Sequence, residues 1–536
     1  MRVSPVEEQT QATTAKKNYP ACAALIARAM GGANQVTIDS REALERCCAA
    51  HPTLLAELPF LDDLGRVEEA FGKLGGSPIH AHQARSAIMV NPELQLLDVD
   101  YSGLPLVLTD IAHRPQPQQG FVLVYRPPAG DRIEIHDAHP HDLLALKIIA
   151  EDLDYRQLAA EHGVTLGHID DIVYQAVAKG ILIRPPSRIC RPDDFFTNAI
   201  NDEQFISSPV FTLQWHITQQ CDLSCRHCYD RSHRQAVSLD QGIAILDDFY
   251  DFCRSQFVYG QVTFTGGNPL LHADFMELYR AAVERGFLTA ILGNPTSQEK
   301  LEALLAIRKP AFYQVSLEGL REHNDYIRGQ GHFERVMRFL PLLKKLGIYS
   351  MVMLTLTREN SGQVLQLAEL LRHKVDHFNF NRLAMVGEGA SLASADIDTY
   401  ADFLRNYLTA ARHNPIMGLK DNLFNLIQLQ DGSDHFYSGC AGYGCGAAFN
   451  FVSLLPDGRV DACRKFDSPL GNIFENSLLE IYESERARQY RKGPSGCQDC
   501  TIRPLCRGCM AVMYGMGKDV FGTPDPYCFA AGNHHR

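Results

Sequence analysis

The sequence predicts an α/β protein whose centre is a partial barrel of six parallel strands, with a small winged-helix module before it and a cysteine-rich domain after it. Strand and helix patterns alternate six times within residues 205–390, which favours a parallel sheet with its helices outside. Residues 89–190 combine short strands with three helices. Eight cysteines cluster in residues 391–536, where bound metal can replace a large apolar core.

Length and composition set the class of protein. A chain of 536 residues is too long for one hydrophobic core. Its net charge of −12 argues against a broad nucleic-acid or anionic-membrane surface. Residues 1–18 are polar, and no apolar run approaches the roughly 20 residues that span a bilayer. We therefore expect a cytoplasmic protein, in which clustered cysteines hold metal more readily than disulfides.

The first 190 residues divide into two segments by pattern. Residues 1–88 read as helices, and the sequence does not reveal their role. In 89–190, one strand is expected at 93–98 and a hairpin at 121–126 and 131–136. Helices are expected over 142–151, 155–161 and 167–179, followed by a short strand at 180–183. These elements predict the winged-helix module.

The charge of this module opposes DNA binding. Between Pro92 and Cys190 there are 14 Asp and Glu against 8 Lys and Arg, a net charge of −6, whereas DNA binders place cations against phosphates. The same module can instead bind an extended peptide along the edge of its strands by main-chain pairing. We therefore expect a peptide partner and no nucleic acid.

Polar residues and glycines follow every strand of the predicted barrel. The strands are expected at 211–217, 261–265, 288–292, 311–317, 350–356 and 377–383. The features that follow or end them are Cys221, Cys225 and Cys228; Gly266, Gly267 and Asn268; Gly293 and Asn294; Ser316 and Glu318; Thr355 and Thr357; and Arg382. In a parallel α/β barrel the carboxyl ends of the strands meet at one face, so the sequence predicts one site at its mouth.

The cysteine loop resembles that of the radical S-adenosylmethionine (radical SAM) superfamily. Its three cysteines follow the pattern C-x3-C-x2-C, with His227 just before the last one. The segments 263–269, 316–319 and 326–329 match the glycine pair, the fourth strand and the following loop of that superfamily. A zinc site is the alternative, although structural zinc takes four closed ligands.

The resemblance implies both a cofactor and a mechanism. Three thiolates would hold a [4Fe–4S] cluster whose fourth iron chelates S-adenosylmethionine (SAM), and reductive cleavage would give a 5′-deoxyadenosyl radical that abstracts hydrogen. The residues that the resemblance places against the cofactor are His227, Gly266, Gly267, Asn268, Asn294, Ser316 and Arg328. Arg382 is expected beside them because it ends the sixth strand. One departure is Asn268, since the superfamily usually has Glu there. The amide lacks that negative charge, so we expect lower cofactor affinity.

The C-terminal cysteines resemble the SPASM extension of radical SAM enzymes. By that pattern two auxiliary [4Fe–4S] clusters would be bound, one by Cys440, Cys445, Cys463 and Cys509, the other by Cys497, Cys500, Cys506 and Cys528. Spacing alone favours two zinc knuckles nearly as much. The adjoining radical SAM pattern favours iron–sulfur clusters, which gives three [4Fe–4S] clusters in all.

The domain order resembles that of maturases of ribosomally made peptides, including a subgroup that acts on selenocysteine- or cysteine-containing peptides. The resemblance implies a precursor peptide whose leader binds to the 89–190 module, oxidative formation of a thioether or another crosslink, and a low-potential reductant such as flavodoxin or ferredoxin. One rival is an anaerobic sulfatase-maturating, formylglycine-forming enzyme, but that family has an Asp base where this chain has Arg464. The other is an iron–sulfur redox sensor that binds DNA.

Overall fold

The computed structural model describes residues 19–31, 36–77, 86–128, 130–192, 195, 203–433, 435–437 and 439–530. Residues 1–18, whose sequence is polar, lie outside the described residues. The chain divides into two compact units, Met1–Pro186 and Ser187–Arg536. Across the described residues, the structure contains no helix with the length and apolar character needed to cross a bilayer.

The first unit begins with four helices: α1 (Pro20–Ala29), α2 (Arg41–Ala50), α3 (Pro52–Glu57) and α4 (Leu61–Gly75). Ser40 caps α2 by accepting a hydrogen bond from the Ala43 N–H, as expected of an N-cap serine. The buried Glu68 carboxylate accepts from the backbone N–H of Ala21 at 2.7 Å, which ties α1 to α4.

An antiparallel sheet follows these helices. It contains β2 (Gln95–Ser102), β3 (Gln116–Tyr125) and β4 (Glu134–Asp137) in the order β2-β3-β4, after the short β1 (Met89–Val90). The short helix α5 (Leu104–Val107) lies between β2 and β3. In the described residues, no strand pairs with the outer edge of β4.

Three helices complete the first unit: α6 (Pro140–Ala150), α7 (Tyr155–His162) and α8 (Leu166–Lys179). They lie within two residues of the predicted bounds. The last strand, β5 (Leu182–Ile183), pairs with β1 rather than with the three-stranded sheet. The winged-helix assignment itself stays a prediction.

The sheet of the first unit is covered on both faces. Val122 and Val124 are buried with the residues of α1–α4. Leu123 and Tyr125, which point to the opposite face because strand side chains alternate, are buried with the residues of α6–α8. The described residues of the predicted segment 1–88 and those of 89–186 therefore share one compact unit around this sheet.

The second unit begins with the six parallel strands that the sequence predicts. They are β6 (Val210–Thr218), β7 (Tyr259–Gly266), β8 (Leu288–Leu292), β9 (Phe312–Ser316), β10 (Ser350–Leu356) and β11 (His377–Arg382). Each pairs in parallel with the next. The intervening helices are α9 (Leu239–Gln256), α10 (Phe275–Glu284), α11 (Gln298–Ile307), α12 (Arg321–Arg328), α13 (His332–Lys345) and α14 (Val364–Leu371).

The cysteine-rich segment extends this sheet. Its strands are β12 (Phe451–Leu454), β13 (Arg459–Asp461) and β14 (Pro469–Asn472), and its helices are α15 (Tyr400–Ala411), α16 (Phe424–Gln430), α17 (Leu478–Glu483), α18 (Glu485–Lys492) and α19 (Met510–Gly515). Strand β12 pairs in parallel with β6. The sheet order is therefore β11-β10-β9-β8-β7-β6-β12-β13-β14, an open barrel continued by a C-terminal meander.

Candidate active site

A cavity of about 570 Å³ lies at the carboxyl ends of the parallel strands. Cys221, Cys225 and Cys228, on the loop after β6, line it together with Ser316 at the end of β9. Burial raises the pKa of Cys221 and Cys225, so both thiols are neutral until a metal replaces their protons. The structure thus brings the predicted cysteine loop and the predicted strand ends to one cavity.

The glycine pair joins the cysteine loop through backbone contacts. The Gly267 N–H donates to the Thr218 carbonyl at 2.9 Å, and the Asn268 N–H donates to the Gln220 carbonyl at 2.7 Å. Gly266 has φ +129°, and a Cβ on it would overlap the Thr218 carbonyl oxygen. Only glycine allows this approach, so the pair presents bare backbone to the cavity.

A buried ion pair fixes Arg328 beside the cysteines. The Arg328 Nε and Nη2 donate to one oxygen of Glu318 at 2.8 and 2.6 Å, and the Thr355 N–H donates to the other at 2.7 Å. Burial alone would raise the pKa of Glu318, but the charges of Arg328 and His227 outweigh it and hold that pKa well below its usual range. The third nitrogen of Arg328, Nη1, lies 3.8 Å from Cys225 Sγ.

His227 and the cavity lining fit the implied cofactor. The His227 Nε2 lies 3.3 Å from Glu318, while its Nδ1 is buried without a hydrogen-bond partner. A buried unpaired nitrogen is costly, and a bound ligand that reaches it would remove that cost. The cavity therefore offers three thiols that suit a cluster. Beside them, two glycines without side chains and this nitrogen suit a bound SAM.

Asn268 and Asn294 both contact a residue that the sequence analysis did not single out, Asp222. Their side-chain amides donate to the same oxygen of Asp222, at 3.0 Å from Asn268 and 2.6 Å from Asn294. The Asn268 carbonyl oxygen accepts from the Leu270 N–H. The Asn268 amide is therefore occupied within the protein, whereas Asn294 lines the cavity.

Arg382 has a different position from the one expected of a cofactor contact. It borders the cavity, but its three guanidinium nitrogens donate to Asp421 at 2.8 Å and to Asp525 at 2.9 and 2.7 Å. All three side chains are at most 6% exposed. We therefore reassign Arg382 to a buried ion-pair network, because its donors are already satisfied by carboxylates from the C-terminal segment.

Cys440, Cys445, Cys463 and Cys509 line a second cavity, of about 230 Å³. Burial raises the pKa of Cys463 to about 11 and that of Cys509 to about 12, and the neighbouring Cys445 adds to both shifts. Arg464 and Lys465 line both this cavity and the one at the strand ends, so these two side chains separate the two groups of cysteines.

Cys497, Cys500, Cys506 and Cys528 line a third, narrow cavity. Burial raises the pKa of Cys497 to about 12, with further contributions from Cys500 and Cys528. The structure therefore groups the eight thiols in the two sets of four that the resemblance implies, and their role as cluster ligands stays a prediction.

Arg507 lies between these two sets. It is 1% exposed, its Nη1 donates to the Arg491 carbonyl, and its Nε and Nη2 have no partner. Burial lowers the pKa of Arg507, while Cys445 of one set and Cys506 of the other act to raise it. Cluster sulfurs would accept from these unpaired donors, so both sets fit iron–sulfur clusters.

The spacing of the thiols also bears on the zinc alternative. Within the described part of the chain, no three or more His, Cys, Asp or Glu side chains are close enough to share one metal ion. The four ligands of zinc bind one ion at about 2.0–2.3 Å, whereas the thiolates of a cubane bind four different irons and lie further apart.

Comparisons with known proteins agree with this geometry. The radical SAM superfamily model matches residues 215–371, and the SPASM iron–sulfur cluster-binding domain model matches 445–510. The chain is 30% identical over 346 residues to the mycofactocin maturase MftC of Mycolicibacterium smegmatis (61% of this chain, 84% of that protein). It is 26% identical over 352 residues to the AdoMet-dependent heme synthase of Nitratidesulfovibrio vulgaris (59% and 91%).

A solved structure resembles the fold over a longer stretch. Streptococcus suis SuiB bound to precursor peptide SuiA superposes with a TM-score of 0.50 at 18% identity, over 77% of this chain and 97% of that one. The chain is thus an enzyme whose cofactors are SAM and [4Fe–4S] clusters, with auxiliary clusters in the C-terminal domain. It belongs to the radical SAM superfamily, in the branch that carries a SPASM domain.

Proposed function

We propose that this enzyme is a maturase that oxidatively modifies a ribosomally made peptide, forming a thioether or another crosslink after hydrogen abstraction. The relatives named above include a peptide maturase and a heme synthase that match similar shares of this chain, so these similarities do not choose between the two substrates. The first unit favours the peptide. The superposition with SuiB, whose structure was solved with a precursor peptide, covers 77% of this chain. Ser187–Arg536 makes up only roughly 65% of the chain, so the superposition extends into the first unit.

The observation that carries the proposal is the outer edge of β4 in the first unit. The Ala138 N–H donates to the Phe121 carbonyl of β3, and Leu123 pairs with His136. Because donors alternate along a strand, the N–H groups of Ile135 and Asp137 point away from β3. An extended leader peptide can pair with this edge, which raises the concentration of its core segment near the enzyme.

The residues of the barrel suit the chemistry that the proposal needs. SAM bound to the reduced cluster supplies a carbon radical able to abstract hydrogen. Gly266 and Gly267 present backbone to the cofactor, the Glu318–Arg328 pair keeps a cation beside Cys225, and His227 offers a buried nitrogen. The eight C-terminal cysteines would hold clusters able to accept the electron that the substrate radical loses, and a flavodoxin or ferredoxin would supply the electron that cleaves SAM.

The rival functions lack such support. A formylglycine-forming enzyme needs a base within reach of its substrate, and the position that holds Asp in that family is Arg464, whose guanidinium lines the cavity and donates to Thr265. For DNA binding, the first two turns of α8 contain His168 and the acidic Asp170 and Asp171 where cations would be needed. Its Lys179 is paired with Asp142 at 2.6 Å.

Deleting residues 1–186 tests whether the first unit binds the peptide while the second carries out the chemistry, since Ser187–Arg536 is a compact unit of its own. We expect the shortened enzyme to cleave SAM without peptide but to lose modification of a precursor selected from short cysteine-containing peptides. Mass spectrometry of the peptide and quantification of 5′-deoxyadenosine give both readouts. Unchanged modification would remove the recognition role of the first unit.

A single substitution tests the β4 edge more sharply. Ile135→Pro removes an outward N–H without breaking a bond to β3, and proline is tolerated on edge strands. Ile135→Ala is the matched control, because it loses the same packing and keeps the N–H. We expect the proline variant to bind the precursor at least about tenfold more weakly than the alanine variant. Equal affinities would exclude strand addition at this edge.

A further inference from the structure

The interior of the barrel contains a polar cavity where parallel barrels usually have branched apolar side chains. This inner cavity, of about 230 Å³, is the one bordered by Cys440, Cys445, Cys463 and Cys509, and residues of all six parallel strands line it. Its strand residues include four amides and two hydroxyls, from Gln214, Gln261, Gln314, Asn381, Thr212 and Thr263. Because amides both donate and accept hydrogen bonds, this interior can bind the main chain of a peptide.

Three cations line the inner cavity, and in the described part of the chain no Asp or Glu does. Lys420 lies just ahead of α16, and Arg464 and Lys465 directly follow Cys463. Arg464 Nη1 donates to the Thr265 hydroxyl at 3.4 Å. No described carboxylate forms an ion pair with any of the three cations. The inner cavity therefore has three positive charges without a protein carboxylate to balance them.

The three cations are also close enough to act on one another. Burial lowers the pKa of Lys420, and the charges of Lys465 and Arg464 add to this effect, although Cys440 acts to raise that pKa. A [4Fe–4S] cluster on the four cysteines would bring about two negative charges in its oxidised state. Among the groups that line the inner cavity, the three cations exceed that charge by about one, which is the charge of a single carboxylate.

The inner cavity adjoins the one in which SAM is expected. Gln314, Asn381, Arg464 and Lys465 line both cavities, whereas Lys420 lines only the inner one. The inner cavity is smaller than the roughly 300–1,000 Å³ of pockets that enclose drug-sized ligands, so it suits one side chain or chain end better than a macrocycle. An anion held there lies next to the cavity in which the radical would form.

We propose that Lys420, Arg464 and Lys465 bind a carboxylate of the substrate inside the barrel and thereby position the adjoining carbon atoms for hydrogen abstraction. The carboxylate belongs to an acidic side chain or to the C-terminus of the peptide, and this identification of the ligand rests on the proposed maturase function. Each cation would form a charge-assisted hydrogen bond, while the amides of Gln314 and Asn381 would pair with the adjoining peptide groups.

The test compares three probe peptides on the full-length, cluster-loaded enzyme, saturated with SAM and without reductant so that no cleavage occurs. The probes are acetyl-Gly-Glu-Gly-amide, acetyl-Gly-Gln-Gly-amide and the free acid of the glutamine peptide. Ligand-observed NMR titration measures their dissociation constants. We expect at least one anionic probe to bind about tenfold more tightly than the neutral amide, and the tighter one identifies the source of the carboxylate. Equal affinities, or no binding of any probe, would overturn the proposal.

Lys420→Gln locates the carboxylate, because Lys420 lines the inner cavity and not the one expected to hold SAM. It should reduce the preference for the anionic probe about fivefold to tenfold. Lys518→Gln removes an exposed cation of the same domain and, as the matched control, should keep the preference. An undiminished preference in Lys420→Gln would overturn the assignment. If Lys420→Gln loses cluster iron, Lys465→Gln decides by the same comparison.

The binding of these probes does not depend on turnover, so the site and the proposed function can fail separately. A carboxylate preference in an enzyme that modifies no peptide would support the anion site and count against the maturase function. Peptide modification by an enzyme without that preference would overturn the anion site alone.

Discussion

Replacing Arg382 with Met should destabilise the second unit and loosen an auxiliary cluster, because Arg382 joins the barrel to the C-terminal segment. Its guanidinium bonds Asp421 and Asp525, and the same oxygen of Asp525 that accepts from Arg382 Nη2 also accepts from the Cys509 N–H at 2.8 Å. The substitution therefore removes the partner that orients the residue holding a predicted cluster ligand.

The expected magnitude follows from burial. Breaking a buried ion pair by removing one partner costs about 3–5 kcal/mol. Here the lower end applies, because Asp421 keeps bonds from Tyr400 and Leu423, and Asp525 keeps bonds from Cys509 and Tyr527. We expect a loss of about 3 kcal/mol in the free energy of unfolding, or about 1 M in the urea midpoint at an m-value near 3 kcal/mol per M.

The chain has one tryptophan, Trp215, which is fully buried in β6, so its fluorescence reports unfolding of the second unit alone. Arg405→Met is the control, since Arg405 forms an exposed ion pair with Asp402 and should cost well under about 1 kcal/mol. Iron release to a chelator should accelerate only in the Arg382 variant. Weakened SAM binding with unchanged unfolding and unchanged iron release would refute this reasoning and return Arg382 to the cofactor site.

Three further predictions concern the clusters and the barrel core. Changing Cys221, Cys225 and Cys228 to Ala should abolish 5′-deoxyadenosine formation and lower the iron content from about twelve to about eight per chain; retained cleavage in the product assay would disprove the site. His216 is 1% exposed, and burial lowers its pKa from 6.5 to about 3. Because protonation then favours the unfolded chain, stability should be complete above pH 6.5 and fall as the pH drops toward 3, by about 2 kcal/mol at pH 5. His216→Gln should reduce that loss in urea titrations at pH 7 and pH 5, and an identical loss would contradict the assignment. Arg507→Gln should lower the reduction potentials of both auxiliary clusters, because a buried cation favours the more negative reduced state. Potentiometric titration followed by EPR measures this, and unchanged potentials would remove Arg507 from that role.

The barrel was predictable because its strands are short apolar runs that end at polar residues. All six strands lie within two residues of their predicted bounds at each end. Strand β12 was not predicted, since the four buried residues Phe451–Leu454 carry no alternation that distinguishes a strand from a buried turn. Its pairing with β6 depends on tertiary structure, which no local pattern encodes.

The candidate site was predictable in its residue types and less so in its contacts. The cysteines and glycines have fixed spacing, so their positions could be read from the chain. Asp222 looked like a spacer within the cysteine motif, and only the folded loop brings it to Asn268. Arg382 was expected at the cofactor because it ends a strand, but Asp525, its partner, lies 143 positions away.

The pairing of β12 with β6 has a consequence for electron transfer. Strand β6 leads into the Cys221 loop, while β12 and β13 connect Cys445 to Cys463, so one continuous hydrogen-bonded sheet carries ligands of two predicted clusters. The rate of electron tunnelling falls steeply with distance, and a sheet resists stretching far more than a loop does. The spacing between these two sets of thiols is therefore set by backbone geometry, and we expect it to stay constant while substrates enter and products leave.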